Sequence, residues 1–480
     1  MAKFYITTSI AYVNAPPHIG HALEEIEADV LARYHRLKGD DVFFLTGTDE
    51  HGAKIARAAA ASGKSPEIFT DEISEQFRAL KNSLNLSWDD FIRTTDQKRH
   101  WPAVRAVWEK LAAAGNIYKK QYEGLYCVGH EAFVTQKDLA DGKCADHGKP
   151  PEVVKEENYF FRLSKYTNEI GAKIKSGDLR IIPEERKNEI LSFIEREGLE
   201  DVSFSRPRKD LSWGIPVPGD DTQTIYVWAD ALTNYLSAIG YPDKKFEKYW
   251  PADVHVIGKD ILRFHAAIWP GILLSLGLPL PKTLFVHGFI TSEGKKMSKT
   301  IGNVVDPAAL VEKYGVDAVR YYLLREIPTN GDGDWSEKRF REVYNADLAN
   351  GLGNFAARVL ALGEKQEEIN SQNPEPVIWE KIEAVEAAVE EKLSTFKMNE
   401  ALAAIWDQIA FGDAYVNEKK PWTDGDHAQT IAGLVLLLGN IGKLLQSFLP
   451  ETAKKVLKNI EMVDTTFQVH RGEPLFPRLR

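Results

Sequence analysis

The chain has 480 residues, too many for one hydrophobic core, and length alone suggests roughly two to four domains. Hydrophobic residues at 44% and charged residues at 27% are those of a globular protein without low-complexity tracts or repeats, and the formal net charge of −10 excludes any global attraction for a polyanion. A nucleic-acid partner must therefore be held by local basic surface. The only two cysteines, Cys127 and Cys144, exclude a disulfide scaffold and fit a reducing compartment.

In chain order, "MAKFYITTSIAYVN" carries no signal or transit pattern, which points to the cytoplasm. "FYITT" (4–8) and "VFFLT" (42–46) read as buried strands of a parallel sheet. Between them Leu23, Ile26, Val30, Tyr34 and Leu37 recur at steps of three and four, giving a helix that Gly39 stops. This βαβ pattern predicts an α/β, Rossmann-like domain. A second unit follows: strand 254–257, helix 261–276 and strand 283–291. Residues 115–215, rich in turns and short strands, read as an insertion between its two halves. Strand signals stop near 340, and Leu348, Leu352, Phe355, Val359 and Leu362 begin the stripes of an all-α bundle. The longest apolar run, "IAGLVLLLGNIGKLL", is interrupted before it could span a bilayer. The division is thus 1–114 and 216–290 for the catalytic halves, 115–215 for the insertion, 291–340 for a lysine loop and stem-contact region, and 341–480 for the helical domain.

In a βαβ unit the ligand crevice lies where the first strand ends and the helix begins, and exposed N–H groups there favour phosphate. "HIGH" places His18 and His21 at that point, with Gly20 letting a ligand approach closely. Imidazole N–H groups aimed at developing charge are catalytic; a lone histidine there would merely cap the helix. "SEGKKMSKT" (292–300) follows the second unit's last strand and sets Lys295, Lys296 and Lys299 on a glycine-containing loop suited to closing over a triphosphate. Separately, Cys127-x2-His130, thirteen residues, then Cys144-x2-His147 is a zinc-knuckle spacing with a four-ligand, structural donor set.

HIGH followed by KMSKT resembles the paired signature of class I aminoacyl-tRNA synthetases, with Thr300 in place of the commoner serine. Within that class, "ITTSIAYVNAPPHIGH", "LTGTDEHG", "YVWADALTNY", "GKDILRFHAAIWP" and "VHGFIT" resemble the methionyl-tRNA synthetase family over nearly the whole chain. The resemblance implies a methionine–tRNA ligase that uses ATP with Mg²⁺. His18, His21, Lys296 and Lys299 would act on the phosphates, Gly20 would lie beneath the adenosine and Asp260 would hold the ribose. It implies methionine walls of Ile10, Tyr12, Trp228, Ala231, Tyr235, Ile261, Phe264 and His265, with Asp49 taking the ammonium. An unbranched thioether suits such apolar and aromatic walls. Structural Zn²⁺ is implied at the knuckle, although the family often has cysteine where His130 stands.

Asn354 and Arg358 share a helix face, and Trp422 follows Pro421 and two lysines. By the resemblance these four read the CAU anticodon of tRNA(Met), Trp422 by stacking on a base. The chain ends at "EPLFPRLR", where the family's common body ends, so a monomer is expected, with neither DNA nor a membrane as partner. Two other readings remain at this point: another HIGH-family nucleotidyl transferase, and a catalytically silent tRNA-binding paralogue.

Overall fold

The computed structural model describes residues 1–480 apart from 131, 135–138, 146–147, 298–301, 330, 367 and 373. The described residues form two compact units: 1–17, 39–81 and 88–286 in the first, 18–38, 82–87 and 287–480 in the second. The units cut across the linear division, since the helix opened by HIGH groups with the C-terminal half.

The first unit is built on a seven-stranded sheet: β1 (Lys3–Thr8), β2 (Ala11–Tyr12), β3 (Asp41–Asp49), β4 (Asp90–Arg93), β5 (Arg180–Ile182), β6 (Val254–Gly258) and β7 (Thr283–His287). Its order is β5-β7-β6-β1-β3, with β2 and β4 also on β3. β1 pairs in parallel with β3 and β6, and β5 with β7. Every residue of β6 and β7 is buried, as continuous apolar runs in a parallel sheet should be.

Two features depart from the sequence reading. Residues 115–215 are not one separate insertion, because β5 returns to the main sheet as an edge strand. Most strands there are short as expected, but two are long: Ile117–Cys127 and Glu152–Phe161 pair antiparallel from Ile117↔Phe161 to Tyr126↔Glu152. The helix expected over 261–276 is a 3₁₀ turn (Lys259–Ile261), a π-helix (Phe264–Ile268) and an α-helix (Trp269–Ser275). Pro270, which has no N–H to give to the ladder, stands at the junction of the last two.

In the second unit the helix Ile19–Leu37 buries Leu23, Ile26 and Val30 as its period demands, while Leu37 is exposed. It also buries Asp29, which is matched on the helix Val316–Glu326: Arg320 Nη2 lies 2.7 Å from Asp29 Oδ2, and neither side chain is exposed. Burial alone would raise the Asp29 carboxyl, but the Arg320 and Arg33 charges hold it below its ordinary range. The helical stripes are realised in Asn354–Gly363, Pro376–Ser394, Met398–Lys419 and Ala428–Leu445. The last is long and apolar enough to cross a membrane, and most of it is buried inside the protein. This region is not wholly α, since Ile369–Asn370, Ile460–Val463 and Thr466–Val469 form a small sheet.

Candidate active site

Why histidine opens a helix where serine or aspartate is the usual cap is answered by its hydrogen bonds. His18 is the N-cap residue, and its Nδ1 accepts the Gly20 N–H at 3.0 Å; His21 Nδ1 accepts the His18 N–H at 3.1 Å. A backbone N–H only donates, so Nδ1 of each ring is unprotonated and Nε2 carries the hydrogen. The rings lie 3.9 Å apart between centroids. Burial holds both below the ordinary histidine range, His21 well below, with the neighbouring His18 and His287 adding to the effect on His21. The helix start therefore presents two neutral imidazoles as Nε2–H donors. Capping and donor chemistry are the same geometry.

Behind them is a group that sequence reasoning missed. His287 Nε2 meets Glu24 Oε2 at 3.1 Å and its Nδ1 meets the Gly288 carbonyl at 2.8 Å. Burial lowers His287, but the Glu24 hydrogen bond and the Glu24 and Glu27 charges outweigh it and push it up to about 9. Burial likewise pushes Glu27 up to about 7. The only sequence signal was the spacing of Glu24 and Glu27 on the buried side of the helix.

Gly20 has a nearer reason than ligand approach. A Cβ there would stand 2.8 Å from His18 Cε1 and 3.0 Å from its Nδ1. Gly20→Ala is expected to displace the His18 ring and lower the rate of adenylate formation by about 10²-fold, since a misplacement of about 1 Å costs that much. Pre-steady-state adenylate formation measures it.

The lysine segment begins as a hairpin rather than a loop. Lys295–Lys296 pairs antiparallel with Ile290–Ser292 through Glu293 (φ 51°) and Gly294 (φ 72°), the positive-φ pair of a tight two-residue turn. Lys296 is exposed. Lys299 and Thr300 lie outside the described residues.

In the first unit, Ile10 and Tyr12 follow β1, Asp49 ends β3, and Ile261, Phe264 and His265 follow β6, so these expected methionine residues stand at the carboxyl ends of strands of one sheet. Tyr12 pairs with Asp49, fixing the chain on which the buried carboxylate sits. Trp228 stacks on Phe264 with centroids 3.7 Å apart at 7°. The π-helix sets both Phe264 and His265, an offset no periodicity reveals. His265 Nδ1 lies 3.1 Å from the Ile261 carbonyl, which can only accept, so Nε2 is the acceptor and the Tyr235 hydroxyl donates to it at 2.7 Å. Ile10, Tyr12, Trp228, Ile261 and Phe264 are half-buried against the core. Ala231 is buried on the same short helix as Trp228. The Trp228 Nε1–H is buried without a hydrogen-bond partner among the described residues. Asp260 is exposed just past the end of β6.

Cys127, His130 and Cys144 converge, with their ligand atoms within 4.8 Å of one another and Cys144 Sγ 3.6 Å from His130 Nδ1. The sequence makes this convergence locally. Leu139 pairs with Cys144 across Asp141-Gly142, both at positive φ, which returns Cys144 toward the turn holding His130. Two thiols and an imidazole are a donor set that fits zinc. His147 lies outside the described residues.

On the helical region, Arg358 donates to Asp413 Oδ1 at 3.1 Å and Asn417 Oδ1 at 2.8 Å, and its guanidinium stands 5.8 Å from the centre of the Trp422 ring. Trp422 is 57% exposed, so most of its face is open, while Pro421 beside it is buried. Asn354, one turn before Arg358, is exposed at the edge of a cavity of about 370 Å³ that Asn350 and Phe476 also line.

A parallel sheet interrupted by inserted chain, with HIGH at the start of the helix after its first strands, fits the class I tRNA synthetases. A family model described as tRNA synthetases class I (M) matches residues 4–139 and 134–360. The chain belongs to the methionine–tRNA ligase family of that class. It is 44% identical to the methionine–tRNA ligase of Caldanaerobacter subterraneus subsp. tengcongensis, covering 99% of this chain and 79% of the relative. It is 44% identical to that of Brucella suis biovar 1, covering 95% and 91%. Among solved structures, Mycobacterium tuberculosis methionyl-tRNA synthetase in complex with methionyl-adenylate superposes with TM-score 0.93 at 39% identity over all of both chains. The apo form of that enzyme gives TM-score 0.86 at 36% identity, covering 100% of this chain and 99% of the other.

Proposed function

We propose that the chain activates L-methionine with ATP and passes the methionyl group to the 3′-terminal adenosine of tRNA(Met), acting as a monomer in the cytoplasm, with neither DNA nor a membrane as partner. What supports this most is the match, over the whole of both chains, to a synthetase whose complex holds methionyl-adenylate. The methionine carboxylate attacks the α-phosphate in line, and pyrophosphate leaves with the electrons of the broken P–O bond. His18 and His21 receive the charge that builds on the phosphate oxygens, Asp260 holds the ribose, and Lys296 and Lys299 follow the departing triphosphate end. Asp49 takes the ammonium inside the walls described above. Bound Mg²⁺ supplies neutralisation of the phosphates.

The test is pyrophosphate exchange into ATP with each of the twenty amino acids, without tRNA. Strong exchange with methionine and negligible exchange with leucine, isoleucine, valine and cysteine is expected. Silence with all twenty, persisting when tRNA is added, would favour the non-catalytic paralogue, and strong exchange with another amino acid would reassign the pocket.

Cys127, His130, Cys144 and His147 would hold Zn²⁺ with no open position, which makes it structural. Cys144→Ser is expected to drop bound zinc from about one ion per chain to near zero, read by mass spectrometry, while pyrophosphate exchange persists. In the helical region Asn354, Arg358, Pro421 and Trp422 would read CAU. Because a stacked base is worth about 1–3 kcal/mol, Trp422→Ala is expected to raise the KM for tRNA by about 10- to 100-fold and leave pyrophosphate exchange unchanged.

A further inference from the structure

A sealed polar array lies beside the methionine pocket and is not accounted for by substrate binding. Asp230 accepts from His51 Nδ1 at 2.6 Å and from His100 Nε2 at 2.8 Å. His100 Nδ1 meets Ser237 Oγ at 2.8 Å. A carboxylate can only accept, so His51 carries a hydrogen on Nδ1 and His100 one on Nε2. Asp230 is 1% exposed, His100 0% and His51 2%. Burial pushes the Asp230 carboxyl up, but His51 and His100 together hold it below its ordinary range.

The members stand next to the candidate pocket residues on separate stretches of chain. His51 is two residues after Asp49, Asp230 lies between Trp228 and Ala231, and Ser237 is two residues after Tyr235. His100 opens the helix His100–Ala113. The His51 ring is also held edge-on by Trp213 at 5.5 Å and Trp101 at 6.1 Å. Trp213 Nε1 donates to the Glu50 carbonyl at 2.5 Å, and the Gly52 N–H donates to the Trp213 carbonyl at 3.3 Å. The segment 50–52 is thus clamped from two sides. Replacing a buried ionic array with apolar residues of similar volume is often neutral for stability. Directed hydrogen bonds fix relative positions, which packing alone does less sharply.

We propose that His51, Asp230 and His100 are positioning residues that set the distance between the Asp49 carboxylate and the Trp228–Ala231 wall, and so the fit of methionine's ammonium and side chain together. The inference rests on the pocket assignment given under the proposed function. The hydrogen bonds of the array given above all stay within the first unit, so its loss is expected to act on methionine rather than on ATP.

The test is pyrophosphate exchange with the full chain, measuring KM for methionine and for ATP in wild type, His51→Ala, His51→Asn, His51→Gln and Trp228→Ala. His51→Ala is expected to raise the methionine KM by about 10- to 100-fold with the ATP KM within about twofold. His51→Asn, whose amide N–H stands where Nδ1–H stood, restores it, whereas His51→Gln, with that donor displaced by one carbon, does not. If the alanine variant does not fold, the asparagine and glutamine pair carries the comparison. Equal effects on both substrates, or no difference between asparagine and glutamine, would overturn the proposal. An unchanged methionine KM in His51→Ala beside a raised one in Trp228→Ala would overturn it while leaving the pocket intact. An unchanged methionine KM in Trp228→Ala would remove the pocket assignment and the proposal with it.

Discussion

His21→Asn is expected to slow adenylate formation by about 10²–10³-fold, the cost of removing one donor aimed at transition-state charge, with thermal stability close to wild type. The asparagine Oδ1 takes the place of Nδ1 and still accepts the His18 N–H, so the cap survives while the Nε2–H is lost. His21→Gln is the converse. It keeps an N–H at the ε position, loses the cap acceptor, and is expected to lose about 1 kcal/mol of stability with a smaller kinetic defect. Rapid-quench kinetics and thermal unfolding on the two variants separate roles that one ring combines. Parallel loss of rate and stability in both would count against the donor assignment.

Acid should act on the same atoms. The folded-state values of His18 and His21 lie below 6.5, so the unfolded chain binds more protons in that window. Their contribution is complete above the unfolded value and is lost as pH falls below it, because a proton on Nδ1 would face a backbone N–H. His287 has the opposite sign. Held at about 9, it stabilises fully below its unfolded value and is lost as pH rises through 9. Imidazole chemical shifts followed against pH should show the His18 and His21 rings titrating low and the His287 ring titrating high.

Much of this site was legible because its signals are local. HIGH sits where a strand ends and a helix starts, and the knuckle is announced by two Cys-x2-His pairs thirteen residues apart. What was not legible depends on chain brought from afar. His287 reads as an interior position of the strand 283–291, and only the folded chain ends the strand there and places it against Glu24. The π-helix at Phe264–Ile268 shifts the register on which any stripe from Ile261 to Leu276 was drawn. Ile369–Asn370 is too short to give a strand signal, and it exists as one because Thr466–Val469 lies alongside. His51, His100 and Asp230 lie far apart in the sequence, and only the folded chain brings them together.

Arg320→Leu is expected to destabilise the second unit by about 3–5 kcal/mol, because Asp29 would be left buried without its charge partner. The guanidinium also donates to the Phe448 carbonyl at 2.8 Å, the Leu84 carbonyl at 3.1 Å and the Ser447 carbonyl at 3.3 Å. These acceptors would be orphaned as well. Asp29→Asn should cost a comparable amount, since Asp29 also accepts from Ser87 N at 2.7 Å, from Ser87 Oγ at 2.6 Å and from Arg33 Nε at 2.7 Å. Arg320→Leu with Asp29→Asn removes both charges together, so its cost should fall well short of the sum of the singles. Urea unfolding of the four proteins reads this coupling directly, and strict additivity would refute it. The ion pair has an acid signature too. The folded Asp29 value lies below its unfolded one, so its contribution is present above the unfolded value and is lost as pH falls through the folded one. The wild type should therefore lose stability in acid more steeply than the doubly substituted chain. Asp29 stands on the helix that HIGH opens, so the single variants should lose adenylate formation in step with their unfolded fraction, while the KM for methionine in the folded remainder stays unchanged.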